Sequence, residues 1–306
     1  MKVLRKIEEL GKQIVMSMGA FDGLHLGHQS IIKRVVESAR QIKGLSLIMT
    51  FDPHPLQIVK PEACPPLLTS TTEKERLLSS LGVDVFLIMN FDSTLAQLEP
   101  KEFFQDIILK KLKLAGICVG HNHAFGFKRR GDIELLREIG EKNGFWVEVI
   151  EPMKINGVAV SSTLIRTLIS EGKTEEASAY LGHWPSVEGQ VVPGLGRGKM
   201  ELGYPTANLL TDERILLPSD GVYAVKVEIE RITYSGMAYL GNRPTFQEKE
   251  YSLEVYLFDF EGDLYGQSLR VRFGPRLRSD MTFRDSTQLK RQLERDEEIA
   301  RNLLLA

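Results

Sequence analysis

The chain has little cysteine, no long apolar run and no marked excess of charge of either sign. Its two cysteines, Cys64 and Cys118, are far apart in 306 residues, so neither a disulfide framework nor a Cys-x-x-Cys metal motif is indicated. No apolar stretch approaches the roughly 20 residues that span a bilayer. The formal net charge of -2 argues against nucleic acid as the main partner. We therefore expect a cytoplasmic protein with neither a membrane nor a nucleic-acid partner.

The first half of the chain alternates apolar runs with helical patterns. The predicted strands are residues 15–18, 45–50, 85–90, 116–119 and 145–150. The predicted helices are residues 30–43, 71–81, 100–112 and 133–143. Alternation of this kind predicts a parallel sheet with helices on both faces, and ligands bind such sheets at the carboxyl ends of the strands.

The composition changes near residues 183–186, and we predict domains of residues 1–184 and 185–306. Short strands follow a helix at 173–181, and we place them at residues 187–192, 221–229, 233–239, 252–258 and 269–273. This spacing predicts a small antiparallel β-barrel. A charged, leucine-bearing helix at 287–305 is expected to pack on the barrel.

The most informative segment is GAFDGLHLGH at residues 19–28, between a predicted strand and a predicted helix. Its glycines let the backbone approach a ligand closely, and the first N–H groups of a helix attract anions. Two alternatives stay open: a tight turn with surface histidines, or half of a zinc site at His25 and His28. The sequence offers no convincing further zinc ligands.

Three other motifs follow predicted strands or begin a helix in the first half. They are TFDPHP at 50–55, GHNHAFGFKRRG at 120–131 and SSTLIR at 161–166. The simpler interpretations are a proline-rich loop, a basic surface loop and a helix cap. Their positions at the expected carboxyl ends of parallel strands favour a shared nucleotide site instead.

The second half has its own polar motifs. They are GLGRGK at 194–199, PTAN at 205–208 and Glu254 on an alternating strand. A hydroxyl and an amide oxygen, from Thr206 and Asn208, suit Mg²⁺. Each motif alone also fits a turn or an outward-facing strand residue.

The first-half motifs, in this order, resemble the FMN adenylyltransferase half of the bacterial bifunctional riboflavin kinase/FAD synthetase family. The resemblance implies a Rossmann-like nucleotidyltransferase domain with His25 and His28 as catalytic donors. It implies ATP contacts from Gly19, Phe21, Asp22, Gly23, His25, His28, Asn122, Ser161, Ser162, Thr163 and Arg166. It implies flavin contacts from His54, Asn122, Phe125 and Arg278. One departure is His123, where the family usually has phenylalanine.

The second-half motifs resemble the riboflavin kinase of the same family. The resemblance implies Glu254 as the catalytic base and Thr206 and Asn208 as metal ligands. It implies kinase ATP contacts from Gly194, Gly196, Arg197, Gly198, Lys199, Thr206 and Asn208.

Together these resemblances imply a bifunctional enzyme of FAD biosynthesis. The C-terminal domain would phosphorylate riboflavin to FMN, and the N-terminal domain would adenylylate FMN to FAD and release pyrophosphate. Both reactions would use ATP and a divalent cation, Mg²⁺, so the expected partners are riboflavin, FMN, FAD and ATP, and a weak homo-oligomer is also compatible. The alternatives are an enzyme with one active half and a flavin-binding regulatory protein on the same scaffold.

Overall fold

The computed structural model describes residues 1–193, 203–230, 232–244 and 249–305. Contacts divide the chain into two compact units. The first comprises Met1–Pro65 and Ser70–Ser161, and the second comprises Pro66–Thr69 and Ser162–Ala306. The predicted domain boundary after residue 184 stays a prediction, and the helices just before it group with the second unit.

The first unit contains a six-stranded parallel sheet. Its strands are β1 (Lys2–Leu4), β2 (Gln13–Met18), β3 (Leu45–Asp52), β4 (Val85–Asn90), β5 (Lys113–Gly120) and β6 (Trp146–Ile150). Their order across the sheet is β1-β4-β3-β2-β5-β6. The predicted parallel sheet is confirmed, and only the short β1 was not expected.

Helices cover both faces of this sheet. They are α1 (Leu26–Gln41), α2 (Pro55–Val59), α3 (Thr71–Ser80), α4 (Ser93–Ala96), α5 (Pro100–Glu102) and α6 (Ile133–Asn143). One core contains Ile32 of α1 and Leu78 of α3; the other contains Phe104 and Leu136 of α6. The helix predicted at 100–112 is instead a short α5 continued by a π-helical turn at Phe103–Ile108, which buries both Phe103 and Phe104. A small hairpin, β7 (Lys154–Ile155) and β8 (Val158–Ala159), follows β6.

The strand order places the first-half motifs at one end of the sheet. From β2 the chain proceeds to β3 and β4 on one side, and then returns to β5 and β6 on the other. The carboxyl ends of β2 and β5 therefore flank a point where the strand order reverses, and such points are where ligands bind α/β sheets.

The second unit is a closed antiparallel barrel with flanking helices. Two helices precede the barrel, α7 (Ser162–Ser170) and α8 (Thr174–Leu181). The barrel strands are β9 (Ser186–Val192), β10 (Ala207–Thr211), β11 (Gly221–Ile229), β12 (Ile232–Pro244), β13 (Lys249–Leu257) and β14 (Ser268–Arg278). The terminal helix is α9 (Ser286–Leu305). The predicted barrel and terminal helix are confirmed, whereas β10 was not predicted because its strand is short and begins within the PTAN motif.

Alternation along the barrel strands separates two cores. Leu253 and Val255 of β13 face the barrel interior, whereas Tyr256 of the same strand packs in an outer cluster with Ala300 of α9. Successive strand residues point to opposite faces, so Glu254 also lies on the outer face. This face of the barrel carries the second candidate site.

Candidate active sites

The segment from Gly19 to His28, which we call the histidine turn, joins β2 to α1. The helix begins at Leu26, four residues before its predicted start, because His25 caps it: its Nδ1 accepts a hydrogen bond from the backbone N–H of His28 at 3.3 Å. An imidazole whose Nδ1 accepts a hydrogen bond carries its proton on Nε2 when it is neutral. The cap therefore fixes both the position and the tautomer of His25.

Two non-glycine residues of the histidine turn have left-handed backbone angles. Phe21 has φ of +46° and Leu24 has φ of +40°, conformations that cost of order 1–3 kcal/mol each. The Leu24 side chain is fully buried and its N–H donates to the Phe21 carbonyl at 3.2 Å, which holds the turn in place. Strain of this kind concentrates at functional sites.

The rings of His25 and His28 stack on each other. Their centroids are 3.6 Å apart with an interplanar angle of 14°, and the ring of Phe21 meets His28 edge-on at 5.4 Å. Burial, with the nearby His25 and Lys74, holds the pKa of His28 well below its usual value. His28 is therefore neutral at pH 7, and its buried Nδ1 has no hydrogen-bond partner among the described residues.

Glycine at position 27 leaves room for the His25 ring of this stack. A Cβ at Gly27 would lie 3.2 Å from the His25 ring, closer than side-chain atoms usually approach. The His-x-Gly-His spacing thus places one imidazole as a cap and the other one turn later on the same helix face. Gly19, Asp22 and Gly23 lie in the same turn, and Asp22 is buried.

The proline-rich motif after β3 forms a capped turn. His54 caps α2, because its Nδ1 accepts from the N–H of Leu56 at 3.2 Å and its own N–H donates to Gln57 Oε1 at 3.2 Å. The Sγ of Cys64 lies 3.8 Å from the same Nδ1. One nitrogen of His54 therefore serves local structure, and the predicted flavin contact from His54 stays a prediction.

The loop after β5 carries Asn122, His123 and Phe125. Phe125 is buried and its ring packs against Phe104 at 5.1 Å, while its backbone pairs with Gly131 through two hydrogen bonds of 2.9 Å. Asn122 is exposed at the carboxyl end of β5. Phe125 thus fixes the loop to the core and Asn122 lies at the sheet edge, and both predicted ligand contacts stay predictions.

His123, the departure from the family pattern, stacks on Phe125 at 5.8 Å between ring centroids. Burial, and to a smaller extent Arg129, lowers the pKa of His123 to about 4. Its Nε2 is buried with no hydrogen-bond partner among the described residues. The ring therefore replaces phenylalanine as a neutral aromatic that supports the loop.

The SSTLIR motif lies where the two units meet in sequence. Ser161 is the last residue of the first unit, whereas Ser162, Thr163 and Arg166 lie on α7 of the second. The Nε of Arg166 donates to the carbonyl of Pro66 at 2.8 Å. The predicted triphosphate contacts of these four residues stay predictions.

In the second unit, three polar residues form a row across neighbouring strands of the barrel. Asn208 of β10 pairs opposite Glu254 of β13, and Glu254 pairs opposite Tyr239 of β12. Opposed residues of neighbouring strands project from the same face. We call Asn208, Glu254 and Tyr239 the barrel row.

Thr206, the residue just before β10, contacts this row. Its Oγ1 donates a hydrogen bond to Glu254 Oε2 at 2.9 Å. The structure therefore brings together the three residues that the sequence analysis selected here, Thr206, Asn208 and Glu254. A carboxylate held by a hydroxyl, beside an amide, can accept a proton and can share in an oxygen-rich cation site.

Known families match both units. A model of the FAD synthetase family matches residues 7–164, and a model of the riboflavin kinase family matches residues 181–304. The bifunctional riboflavin kinase/FMN adenylyltransferase of Buchnera aphidicola from Acyrthosiphon pisum is 35% identical over 97% of this chain and 96% of its own length. That of Escherichia coli K12 is 34% identical over 98% and 97%. The chain belongs to this bifunctional family.

The enzyme accordingly has two activities. It phosphorylates riboflavin to FMN in its C-terminal riboflavin kinase domain, and it adenylylates FMN to FAD in its N-terminal FAD synthetase domain. ATP, riboflavin, FMN and FAD are the substrates and products expected of these families. The resemblance stated from the motifs is confirmed over nearly the whole chain.

A solved structure from Streptococcus pneumoniae has the same fold. It is 34% identical with a TM-score of 0.87 and covers 99% of both chains. That protein is named a macrolide-efflux protein. Across the part of the chain that the structure describes, every helix is too short or too polar to cross a membrane.

Arg278 of the bifunctional enzyme, predicted to contact flavin, is part of a buried ion pair. Its Nε donates to Asp296 Oδ2 of α9 at 2.8 Å, and its Nη1 donates to the Ser279 carbonyl at 3.1 Å. Its guanidinium also lies 5.6 Å from the centroid of the Phe283 ring. The contact with flavin stays a prediction, and the visible role of Arg278 is to tie β14 to α9.

The second glycine-rich loop lies outside the described residues. This applies to Gly194, Gly196, Arg197, Gly198 and Lys199, whose predicted contacts with ATP stay predictions.

Sequence reasoning did not select Tyr239 or Asp280. The Tyr239 hydroxyl donates to Asp280 Oδ1 at 3.3 Å, and burial, with the negative charge of Asp280, raises the pKa of Tyr239 to about 12. A Cβ at Gly241 would lie 2.2 Å from this hydroxyl. The strand predicted at 233–239 included Tyr239, but only the register between β12 and β13 shows that its side chain shares a face with Glu254.

Proposed function

We propose that the histidine turn performs FMN adenylylation and that the barrel row, with Thr206, performs riboflavin phosphorylation. The observation that carries this assignment is the hydrogen bond of 2.9 Å from Thr206 to Glu254, because it joins two separate sequence motifs at one point. In the first unit the corresponding support is the stack of His25 on His28.

In adenylyl transfer, a phosphate oxygen of FMN attacks the α-phosphorus of ATP. The new P–O bond forms while the bond to the β-phosphate breaks, and pyrophosphate leaves. Negative charge accumulates on the α-phosphate and on the leaving group, and fixed hydrogen-bond donors stabilise it. His25, a neutral imidazole with its proton on Nε2, and His28 are such donors at the start of α1, where the helix N-terminus adds a favourable field.

In the kinase reaction, the ribityl 5′-hydroxyl of riboflavin attacks the γ-phosphorus of ATP. The O–P bond forms, the bond to the β-phosphate breaks, and ADP leaves. Glu254 accepts the proton of the attacking hydroxyl. The hydrogen bond from Thr206 orients one oxygen of this carboxylate.

The oxygen-rich donor set of the kinase site fits a divalent cation. Thr206 and Asn208 offer a hydroxyl and an amide oxygen beside Glu254, and Mg²⁺ prefers oxygen ligands. Thr206 and Asn208 would hold Mg²⁺ together with ATP phosphates. When bound, the ion supplies positive charge that offsets the charge of the phosphates.

The remaining contacts are proposed on the resemblance. Asn122, Ser161, Ser162, Thr163 and Arg166 hold the ATP of the first reaction, and His54, Phe125 and Arg278 serve flavin. The dependence of both reactions on ATP favours the expected cytoplasmic location.

Two substitutions test the assignment in a crossed design. Glu254→Gln keeps the shape of the side chain and removes the base, so FMN formation from riboflavin should fall by about 10²–10⁴-fold. FAD formation from supplied FMN should stay within about twofold, since Glu254 belongs to the second unit and the histidine turn to the first. His28→Ala should give the opposite pattern, with FAD formation falling by about 10²–10³-fold.

Flavins separated by chromatography after incubation with ATP and Mg²⁺ provide the measurement. Glu261→Gln, at an exposed loop position, is the matched control for the loss of a carboxylate. If either substitution abolished both reactions in a folded protein, the two-site assignment would be wrong.

A further inference from the structure

A buried lysine lies beside the histidine turn. Lys74 is on the first turns of α3, and its side chain is only 5% exposed. Burial lowers the pKa of Lys74, although the neighbouring carboxylates of Asp22 and Asp52 act in the opposite direction. Burying an ammonium costs free energy unless the ammonium is paired. Packing alone therefore does not explain a lysine at this position.

Lys74 connects three segments of the first unit. Its Nζ donates a hydrogen bond of 2.8 Å to the carbonyl of Ala20 in the histidine turn. That carbonyl also accepts from Thr50 Oγ1 of β3 at 3.2 Å. The start of α3 is held to the end of β3, because Thr71 Oγ1 donates to Asp52 Oδ2 at 3.2 Å.

The same ammonium also acts on the imidazole pair. After burial itself, the charged groups that lower the pKa of His28 are His25 on its own turn and Lys74 on α3. Lys74 is therefore a fixed positive charge close to the imidazoles. An ammonium has three N–H donors, and the structure gives Nζ of Lys74 one hydrogen-bond acceptor among the described residues.

We propose that Lys74 is a positioning residue for adenylyl transfer: through its hydrogen bond to Ala20 it fixes the strained turn that carries His25 and His28, and its ammonium places a positive charge beside this turn. This inference rests on the proposed role of the histidine turn. The tether holds the donors in one geometry, and the charge favours the incoming triphosphate.

Three substitutions separate the tether from the charge. Lys74→Met removes both, Lys74→Gln retains an uncharged N–H donor, and Lys74→Arg retains the charge. We expect kcat for FAD formation to fall about tenfold or more in Lys74→Met, which corresponds to the loss of one good interaction in the transition state. Lys74→Gln should be intermediate and Lys74→Arg closest to the wild type. Lys142→Met, at an exposed position near the end of α6, is the matched control and should change nothing.

The readout that a purely structural role would not move is the pKa of His28, followed by histidine side-chain NMR on the full chain. Removal of a neighbouring cation should raise this pKa in Lys74→Met and Lys74→Gln and leave it unchanged in Lys74→Arg. FMN formation from riboflavin, measured on the same samples, should stay at the wild-type rate in all three.

Wild-type FAD formation in Lys74→Met would overturn the proposal, as would an unchanged His28 pKa in that variant. If circular dichroism shows that Lys74→Met does not fold, equal kcat values for Lys74→Gln and Lys74→Arg would overturn it. His28→Ala, assayed in parallel, distinguishes the two proposals. If His28→Ala retains FAD formation, the histidine turn itself is wrongly assigned; if it loses FAD formation while Lys74→Met does not, only the role of Lys74 fails.

Discussion

In the first unit two imidazoles stack 3.6 Å apart at the start of a helix, whereas in the second a carboxylate on the outer face of a barrel accepts a hydrogen bond from a threonine. His25 is buried and His28 is half-buried, and His28 stays neutral because its pKa is lowered. The second site lies on three antiparallel strands and includes Glu254, which is half-buried.

The difference follows from the protonation of the two nucleophiles. The phosphate of FMN is largely ionised at pH 7, so adenylyl transfer needs donors for developing charge and no base. The 5′-hydroxyl of riboflavin carries a proton that must leave, so the kinase needs an acceptor. On the proposed assignment, the histidine turn offers hydrogen-bond donors to an ionised nucleophile, and the barrel row offers a proton acceptor to a protonated one.

In the second unit a buried carboxylate, Asp296, forms an ion pair with Arg278. Breaking this pair gives the largest expected effect on the free energy of unfolding. Asp296 is 1% exposed and pairs with Arg278, and it also accepts from Gln292 Nε2 at 2.8 Å. Asp296→Ala leaves the guanidinium buried without its partner, and breaking a buried pair costs about 3–5 kcal/mol. Urea unfolding followed by Trp184 fluorescence in a Trp146→Phe background should show this loss in the second unit.

A loss below about 1 kcal/mol would mean that water reaches Arg278. Glu297→Ala is the control, because that carboxylate pairs with Arg301, which is more exposed than Arg278.

Acid should weaken the first unit more than the second. Five of the six histidines belong to the first unit, and the pKa of His123 is lowered to about 4. The unfolded chain therefore binds protons that the folded unit does not, and stability falls as pH drops from 6.5 toward 4. His123 alone accounts for up to about 3 kcal/mol.

Trp146 fluorescence in a Trp184→Phe background reports on the first unit. His123→Phe, which restores the usual residue of the family, should flatten the pH dependence of its unfolding free energy. An equally steep dependence in that variant would show that His123 is accessible to water in the folded state.

Thr206→Val should weaken only the kinase. The substitution keeps the shape of the side chain and removes the hydrogen bond to Glu254. Hydrogen bonds to charged groups contribute about 1.5–3 kcal/mol, so kcat/KM for riboflavin should fall by about tenfold or more.

A role as a ligand of the cation predicts, in addition, a higher Mg²⁺ requirement for FMN formation. Thr211→Val, on the strand that Thr206 immediately precedes, is the matched control. Unchanged kinetics in Thr206→Val would mean that the hydrogen bond from Thr206 does not help Glu254 to act as the base.

The parallel sheet and the barrel could be predicted because their patterns are local. Apolar runs such as residues 45–50 and the alternation around Glu254 give strand type without knowledge of neighbours. The helix start at Leu26 could not be predicted in this way, because histidine is an unusual cap and its preference is weak. The π-helical turn after α5 depends on burying Phe103 and Phe104 together, which is a tertiary effect.

At the sites, sequence reasoning selected residues in contiguous motifs and, through the resemblance, Glu254, but it did not select other residues that separate segments supply. His25, His28, Thr206 and Asn208 were selected from their motifs. Lys74 and Tyr239 reach the sites from α3 and β12, with nothing unusual in their own segments to indicate it. Only the strand register and the packing of α3 reveal them.

The smallest expected effect concerns Tyr239, and it tests whether the barrel row acts as a unit. Tyr239→Phe removes the hydroxyl that donates to Asp280, and one ordinary hydrogen bond contributes about 1 kcal/mol, or about fivefold in kcat/KM for riboflavin. The raised pKa of Tyr239, about 12, keeps the hydroxyl protonated, so the ratio of wild-type to variant activity should be the same at about pH 6 and about pH 9. Asp280→Asn should match this loss if the hydroxyl acts through Asp280. A loss of activity in Tyr239→Phe alone would mean that the hydroxyl instead contacts the substrate. An unchanged kcat/KM for riboflavin in Tyr239→Phe would mean that only Asn208 and Glu254 of the barrel row contribute to the kinase reaction.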